Sequence, residues 1–281
     1  MKTRIVSSVI GIILLLSVML LPGFVFGFAV SFLAAVGMYE FQNALEKAGY
    51  KPIRIIGYAF CGILPVMALL STGVAGISAF PTASIYLLFS AGGFLAIVLL
   101  FGTAIFHHEE YSLNDISLTA FGMIYVIFLF SFLIFIRSLP GGQWFIWLVF
   151  IGAWVTDTFA YFTGITIGKT KILPVISPKK SLEGSIGGVA GGIIGLILYG
   201  MVINSMSRYS IPIYHYAIMG FLSGIISQLG DWAASAIKRY VKIKDYGKIM
   251  PGHGGVLDRF DSVLFVGPVI YFYLSIIIHN F

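Results

Sequence analysis

The sequence predicts an all-α, polytopic integral membrane protein of about nine transmembrane helices, and three observations predict it. Hydrophobic residues make up 59% of the 281 residues and charged residues only 10%, against roughly 25% charged in an ordinary soluble domain. The mean hydropathy is +0.99. The apolar residues also fall in runs of the roughly 20 residues that a spanning helix needs, with the charges gathered into a few short loops between them.

The elements follow in order. Lys2 and Arg4 precede an apolar run to Leu21, a pattern shared with signal peptides. A second run, Phe24–Met38, follows at once through a Pro22-Gly23 turn, so the first is read as a retained span. The charged segment Glu40–Arg54 leads to a third span at Ile55–Leu70 and a fourth at Ser84–Phe106. The polar loop His107–Asp115 precedes a fifth span, Ile116–Ile136, and the Pro140-Gly141-Gly142 turn precedes a sixth, Trp144–Ile167. A loop over 168–184 opens into a glycine-rich seventh span, Ser185–Asn204; the eighth is Ile213–Ile237 and the ninth Ser262–His279. Two regions are expected: 1–142, with about five spans, and 143–281, which carries the loops 168–184 and 238–261.

Nine spans put the termini on opposite sides. With the N-terminus cytoplasmic, the alternation places all Lys and Arg residues inside except Arg137 and Arg208, as the positive-inside rule requires. Both large polar loops then face the cytoplasm. The formal net charge of +6 is read as this topology signal rather than as a nucleic-acid footprint. The single cysteine, Cys61, excludes an intramolecular disulfide and a thiolate metal cluster.

Asp157 falls within the sixth span and Asp231 within the eighth. A carboxylate at the centre of a membrane helix costs about 2.5–3.5 kcal/mol on insertion scales, so it faces protein or a watery cavity and marks function by default. Asp157, Tyr161, Gly164 and Gly168 share one helical face, and Ser223, Ser227, Asp231 and Ser235 form a polar stripe at four-residue steps. The competing reading is structural: each acid pairs with a lysine or a serine hydroxyl and holds two helices together.

The densest charge lies between Asp231 and Ser262, a stretch with four of the eleven acidic and six of the seventeen basic residues. It contains Pro251-Gly252-His253-Gly254-Gly255-Val256-Leu257-Asp258-Arg259-Phe260-Asp261. The glycines permit positive φ and close approach, successive N–H groups in such a turn form an anion-binding concavity, and the following helix N-terminus favours phosphate. Asp258 and Asp261 project from one helix face; with Asp231 they make three oxygen ligands suited to Mg²⁺. Lys238, Arg239, Lys242, Lys244, Lys248 and Arg259 surround them. Carboxylates for a metal beside clustered cations suit phosphoryl or nucleotidyl transfer on a polyphosphate. A basic cytoplasmic loop is also what topology or headgroup anchoring alone would produce, although neither accounts for the glycines or the Asp pair. In the earlier loop, Ser177-Pro178 initiates a turn, Lys179 and Lys180 supply point charges and Ser181-Leu182-Glu183-Gly184 opens the next helix.

These residues carry a family resemblance. Ser235-Ala236-Ile237-Lys238-Arg239, then Lys244-Asp245, then the glycine-rich segment ending in Asp258-Arg259 and Asp261 resemble the motif of the phosphatidate cytidylyltransferases, the CDP-diacylglycerol synthases. The blocks from Asp157 to Lys169 and from Ser177 to Gly184 resemble that family's second conserved region. Met250 departs slightly from the pattern, and Ala234 stands where several bacterial members carry Glu, so a fourth carboxylate beside Asp231 is absent. The resemblance implies conversion of CTP and phosphatidic acid to CDP-diacylglycerol and pyrophosphate at the cytoplasmic face of the inner membrane, with Mg²⁺ and room for a second cation. It implies Asp231, Asp258 and Asp261 as metal ligands, and Lys238, Arg239, Lys244 and Arg259 as cations on the triphosphate. Lys179, Lys180 and Ser181 would form a second phosphate clamp, with Asp157, Tyr161, Ser235, Gly252, His253, Gly254 and Gly255 lining the substrate site. A phosphate nucleophile is already ionised, so His253 is read as a hydrogen-bond donor or loop organiser.

Other features have plainer readings. His107, His108, Glu109 and Glu110 read as a solvated loop. The rows Gly184/Gly188/Gly192 and Gly187/Gly191/Gly195 allow close helix packing or a homodimer contact. Rival functions are an enzyme acting on another lipid phosphate or a polyprenol, and a cation-coupled transporter using Asp157 and Asp231. A CDP-alcohol phosphotransferase would need an Asp-Gly-x-x-Ala-Arg run, which the sequence lacks.

Overall fold

The computed structural model describes residues 11, 13–72, 81–249 and 254–278. Among them the secondary structure is helical, apart from an isolated bridge pairing Lys171 with Ser181. The chain divides into two compact units: one runs up to Ser138 and includes Val241–Arg259, and the other comprises Leu139–Tyr240 and continues from Phe260.

In the first unit residues 13–20 are helical, and α1, Gly23–Lys47, follows, entered through Pro22. Pro suits this edge because it has no N–H to leave unpaired. Helices α2 (Arg54–Cys61) and α3 (Ile63–Thr72) meet at Gly62, and α4 covers Thr82–Phe106. Helix α5 (Leu113–Gly122) continues through a π-helical stretch, Met123–Phe128, into α6 (Leu129–Ser138). A capping box starts α5: Ser112 Oγ accepts from the Asp115 N–H, and Asp115 Oδ2 accepts from the Ser112 N–H at 2.9 Å. Asp115 Oδ1 also accepts from the Lys51 N–H at 2.6 Å, and Thr119 Oγ1 from the Ile53 N–H at 2.9 Å. The α1–α2 connection is thereby tied down by polar groups of α5. Phe41, fully buried, packs its ring on Phe121 and Tyr125.

The second unit contains α7 (Gly142–Thr166), α8 (Leu182–Met206), α9 (Ile213–Tyr240) and most of α10 (Leu257–Phe272), which ends in a π-helical stretch, Tyr273–Ile278. Gly141 turns the chain into α7 with φ +77°, and a Cβ there would strike the Tyr209 ring. Both glycine rows of α8 are used within the chain. A Cβ at Gly188 would lie 2.9 Å from Ala160 Cβ, and one at Gly191 or Gly187 would strike Phe159 or Thr163, all on α7. Gly192 faces Thr156 of α7 and the Gly220 carbonyl of α9, while Gly224 of α9 lies against Val189 Cα. Backbones this close exclude any side chain beyond hydrogen, which is how small residues drive helix association in membranes.

Seven segments among the described residues are long and apolar enough to cross a membrane, and they match the second to seventh and the ninth expected spans. The eighth, α9, is a 28-residue helix whose polar stripe keeps it out of that set. The first expected span lies partly outside the described residues, as do Lys2, Arg4, Met250, Pro251, Gly252 and His253. The chain is a multi-pass membrane protein, and nine is an approximate span count.

Candidate active site

In the second unit α7, α9 and α10 converge on three acids. Asp157 of α7 accepts hydrogen bonds from Ser227 Oγ at 3.3 Å and Ser262 Oγ at 3.0 Å. The α9 stripe therefore points inward as its spacing predicts, with Ser223 and Ser227 buried and Ser235 half-buried one turn beyond Asp231. Gly230 lets α10 approach: a Cβ there would sit 2.5 Å from the Asp261 carbonyl oxygen. Asp261 Oδ1 accepts from the Ser262 N–H at 2.8 Å, and its carboxylate lies within electrostatic reach of Asp231, Asp157 and Lys238. Lys180 forms an ion pair with Asp231. Tyr161, a turn after Asp157, is exposed with its ring against Phe162.

The 168–184 loop folds back on the start of α8. Glu183 accepts from the N–H groups of Lys169 and Thr170 and from the Thr170 hydroxyl, and the Leu182 N–H donates to the Thr170 carbonyl at 2.9 Å. This places Lys180 on Asp231 and leaves Lys179 exposed. Ser181 is expected on a substrate phosphate; here it is buried and its Oγ caps α8 by accepting from the Gly184 N–H at 3.2 Å. Arg239 is exposed and donates to the Ile176 carbonyl.

The first unit holds the rest of the charged segment. Gly254 has φ +88°, as the glycine pattern leads one to expect. Asp258 Oδ2 accepts from the N–H groups of Tyr246 at 2.8 Å and Gly255 at 3.0 Å, so this acid organises the loop. The N–H groups of Val256 and Leu257, at the start of α10, are not left open for a phosphate. They donate, each at 3.0 Å, to the two carboxylate oxygens of Glu40 on α1. Glu40 is 2% exposed, and Gly247 and Gly255 lie against its carboxylate where any Cβ would collide. Sequence reasoning passed over this residue. Ending the second span at Met38 put Glu40 in a loop, whereas α1 runs on to Lys47 and keeps Glu40 within the helix. Lys244 and Arg259 are exposed.

Comparison with known proteins decides what this arrangement belongs to. Residues 2–277 match the model of the cytidylyltransferase family. The chain is 30% identical over 284 residues to the phosphatidate cytidylyltransferase of Bacillus subtilis, covering 98% of each. The chain belongs to the cytidylyltransferase family. It is also 40% identical over 165 residues to the phosphatidate cytidylyltransferase of Thermotoga maritima, 58% of this chain and 61% of that one. To that of Synechocystis sp. it is 30% identical over 304 residues, 98% of this chain and 97% of the other. As a cytidylyltransferase the protein is a nucleotidyltransferase.

The donor set can be compared with the Mg²⁺ that the family resemblance implies. Among the described residues no three His, Cys, Asp or Glu side chains are gathered closely enough to cage one ion. The second unit nonetheless concentrates three carboxylates, Asp157, Asp231 and Asp261, beside Lys180 and Lys238. That surplus of hard oxygen donors fits Mg²⁺, which binds through one or two carboxylates and fills its remaining positions with water and substrate phosphate.

Proposed function

We propose that the chain transfers CMP from CTP to phosphatidic acid, forming CDP-diacylglycerol and pyrophosphate for phospholipid synthesis at the cytoplasmic face of the inner membrane. Full-length similarity to phosphatidate cytidylyltransferases supports the reaction. The observation that carries the site is the convergence of Asp157, Asp231 and Asp261 with Lys180 at the ends of apolar helices, where a lipid phosphate and a water-soluble triphosphate can both arrive.

A phosphate oxygen of phosphatidic acid attacks the α-phosphorus of CTP; the new P–O bond forms as the bond to the β-phosphate oxygen breaks, and pyrophosphate leaves. The nucleophile is already ionised, so no side chain has to remove a proton. Asp231 and Asp261, with Asp258 as the third candidate, would hold Mg²⁺, which when bound neutralises charge on the phosphates. Lys180 and Lys238 supply fixed positive charge beside the acids, with Lys179, Arg239, Lys244 and Arg259 as further cations for the triphosphate and the leaving pyrophosphate. Asp157, held by Ser227 and Ser262, orients the walls against which Asp231 and Asp261 are set. Gly254 and Gly255 shape the loop after His253, which is read as a hydrogen-bond donor to phosphate or an organiser of that loop.

Pyrophosphate release by the detergent-purified protein tests this. Release is expected to require CTP, phosphatidic acid and Mg²⁺ together and to disappear in Asp261→Asn. A folded wild type that is silent with all three would remove phosphatidic acid as the acceptor, and other lipid phosphates would follow.

A further inference from the structure

We propose that a pocket at the end of α1 reads the cytosine base of the nucleotide through Asn43, an inference that rests on the cytidylyl-transfer reading above. The pocket, about 570 Å³, belongs wholly to the first unit and falls in the range of small-molecule sites. Tyr39, Glu40, Asn43 and Lys47 line it from α1, and Lys244, Asp245 and Lys248 from the loop after α9, so its three lysines outnumber its two acids.

The direction of the Asn43 carboxamide is the informative feature. Arg54 Nη2 donates to Asn43 Oδ1. A guanidinium has donors only, so the amide oxygen must face Arg54 and the NH₂ group is left to offer its two donors elsewhere. Arg54 is itself braced. Its Nε and Nη2 donate to the two carboxylate oxygens of Glu46 at 2.8 and 2.7 Å, and its guanidinium lies 5.7 Å from the centre of the Tyr39 ring. The sense of the amide is thus set by a fixed neighbour.

Cytosine presents O2 and N3 as adjacent acceptors, whereas uracil carries a proton on N3. An NH₂ that reaches N3 donates to cytosine and meets the N3–H of uracil donor to donor, while O2 accepts in both bases, so the discrimination lies at N3. Tyr39, 49% exposed, offers an aromatic surface of the kind on which bases stack. Among the described residues Lys47, Lys244 and Lys248 form no ion pair, which leaves their charge for phosphates.

The test compares kcat/KM for CTP and for UTP, with phosphatidic acid as acceptor, and measures lipid-free binding of labelled CTP and UTP. Wild type, Asn43→Asp and Tyr39→Ala full-length proteins are compared. Asn43→Asp keeps an oxygen for Arg54 and replaces the donors with an acceptor. The CTP-over-UTP ratio is expected to fall at least about tenfold in this variant, since a site built to hydrogen-bond one edge rejects the analogue strongly. Tyr39→Ala should raise KM for CTP about tenfold at little cost in kcat, as base stacking is worth roughly 1–3 kcal/mol. If Asn43→Asp is inactive with both nucleotides, Asn43→Ser carries the same ratio test. A purely structural role for Asn43 lowers both rates together, and an unchanged ratio in an active variant overturns the inference. Failure of the cytidylyl-transfer reading looks different: wild type makes no CDP-diacylglycerol. In that event lipid-free preference for CTP over UTP that Asn43→Asp removes still upholds the base-reading pocket, and no such preference overturns it.

Discussion

Two groups of acids in this molecule do different work. In the first unit Glu40 and Asp258 each accept two backbone N–H groups, and Glu40 is sealed under Gly247 and Gly255. In the second, Asp157 accepts from two hydroxyls, Asp231 pairs with a lysine, and Asp261 accepts one main-chain N–H and sits within reach of both. A carboxylate whose two oxygens each accept a main-chain donor, as in Glu40, has its charge answered by the fold. Carboxylates that mainly face each other leave charge to be answered by something bound. An acid on a helix of this protein is therefore not identified as a reacting group by its charge alone; the donors that meet it identify it.

The largest effect should come from the second group. Asp231→Asn or Asp261→Asn is expected to lower the rate of pyrophosphate release by at least about 100-fold, the scale of removing one preorganised electrostatic partner, with the thermal midpoint in detergent nearly unchanged. Loss of fold instead of rate would erase the contrast. Glu40→Gln should behave in the opposite way, because an amide retains only one oxygen for the two donors at the start of α10 and turns its NH₂ against the other. Hydrogen bonds to a charged group are worth about 1.5–3 kcal/mol, so denaturant unfolding should show a loss of about that size. A stable but inactive Glu40→Gln protein would move Glu40 among the reacting groups.

Gly220→Ala sharpens the packing side. Its Cβ would meet Ile193 Cα at 2.6 Å and the Gly192 carbonyl at 2.7 Å, and overpacking of this kind costs about 1–3 kcal/mol. Gly102→Ala in α4 has open space around the new methyl and should be neutral or slightly stabilising in the same assay. Lys180→Ala comes next: the pair is partly exposed, with side chains 29% and 24% accessible. Stability should change by less than about 1 kcal/mol, while activity falls because Asp231 loses its counter-charge. The smallest effect belongs to the His107–Glu110 loop, where His107→Ala with Glu110→Ala should leave stability within about 0.5 kcal/mol and activity unaltered.

Much of this was legible before any coordinates. Hydropathy located the helices because lipid forces each span to satisfy its backbone internally, and the observed ends of α4, α7 and α8 lie within a few residues of the expected ones. Asp157 and Asp231 stood out because acids are rare in such helices. Other features were out of reach for physical reasons. Glu40 looked like a loop residue because hydropathy falls before a helix ends, and its partners are over 200 positions away. The start of the last helix was expected to present its N–H groups to a substrate anion; nothing local reveals that Glu40 accepts those of Val256 and Leu257. Ser181 reads equally well as a cap or a ligand until its Oγ is seen on Gly184.

The sequence by itself determined a multi-pass helical membrane protein, the two glycine rows of α8 that permit close packing, and the acids and lysines available for nucleotidyl transfer. These are properties of composition and of spacing along one helix, and both are local. Only the tertiary structure decided which acids belong to the fold and which stand with a surplus of charge, and which way the Asn43 amide points. Each of those turns on which donors from distant segments arrive at a given oxygen, and that is settled by packing rather than by any residue's own neighbours in the chain.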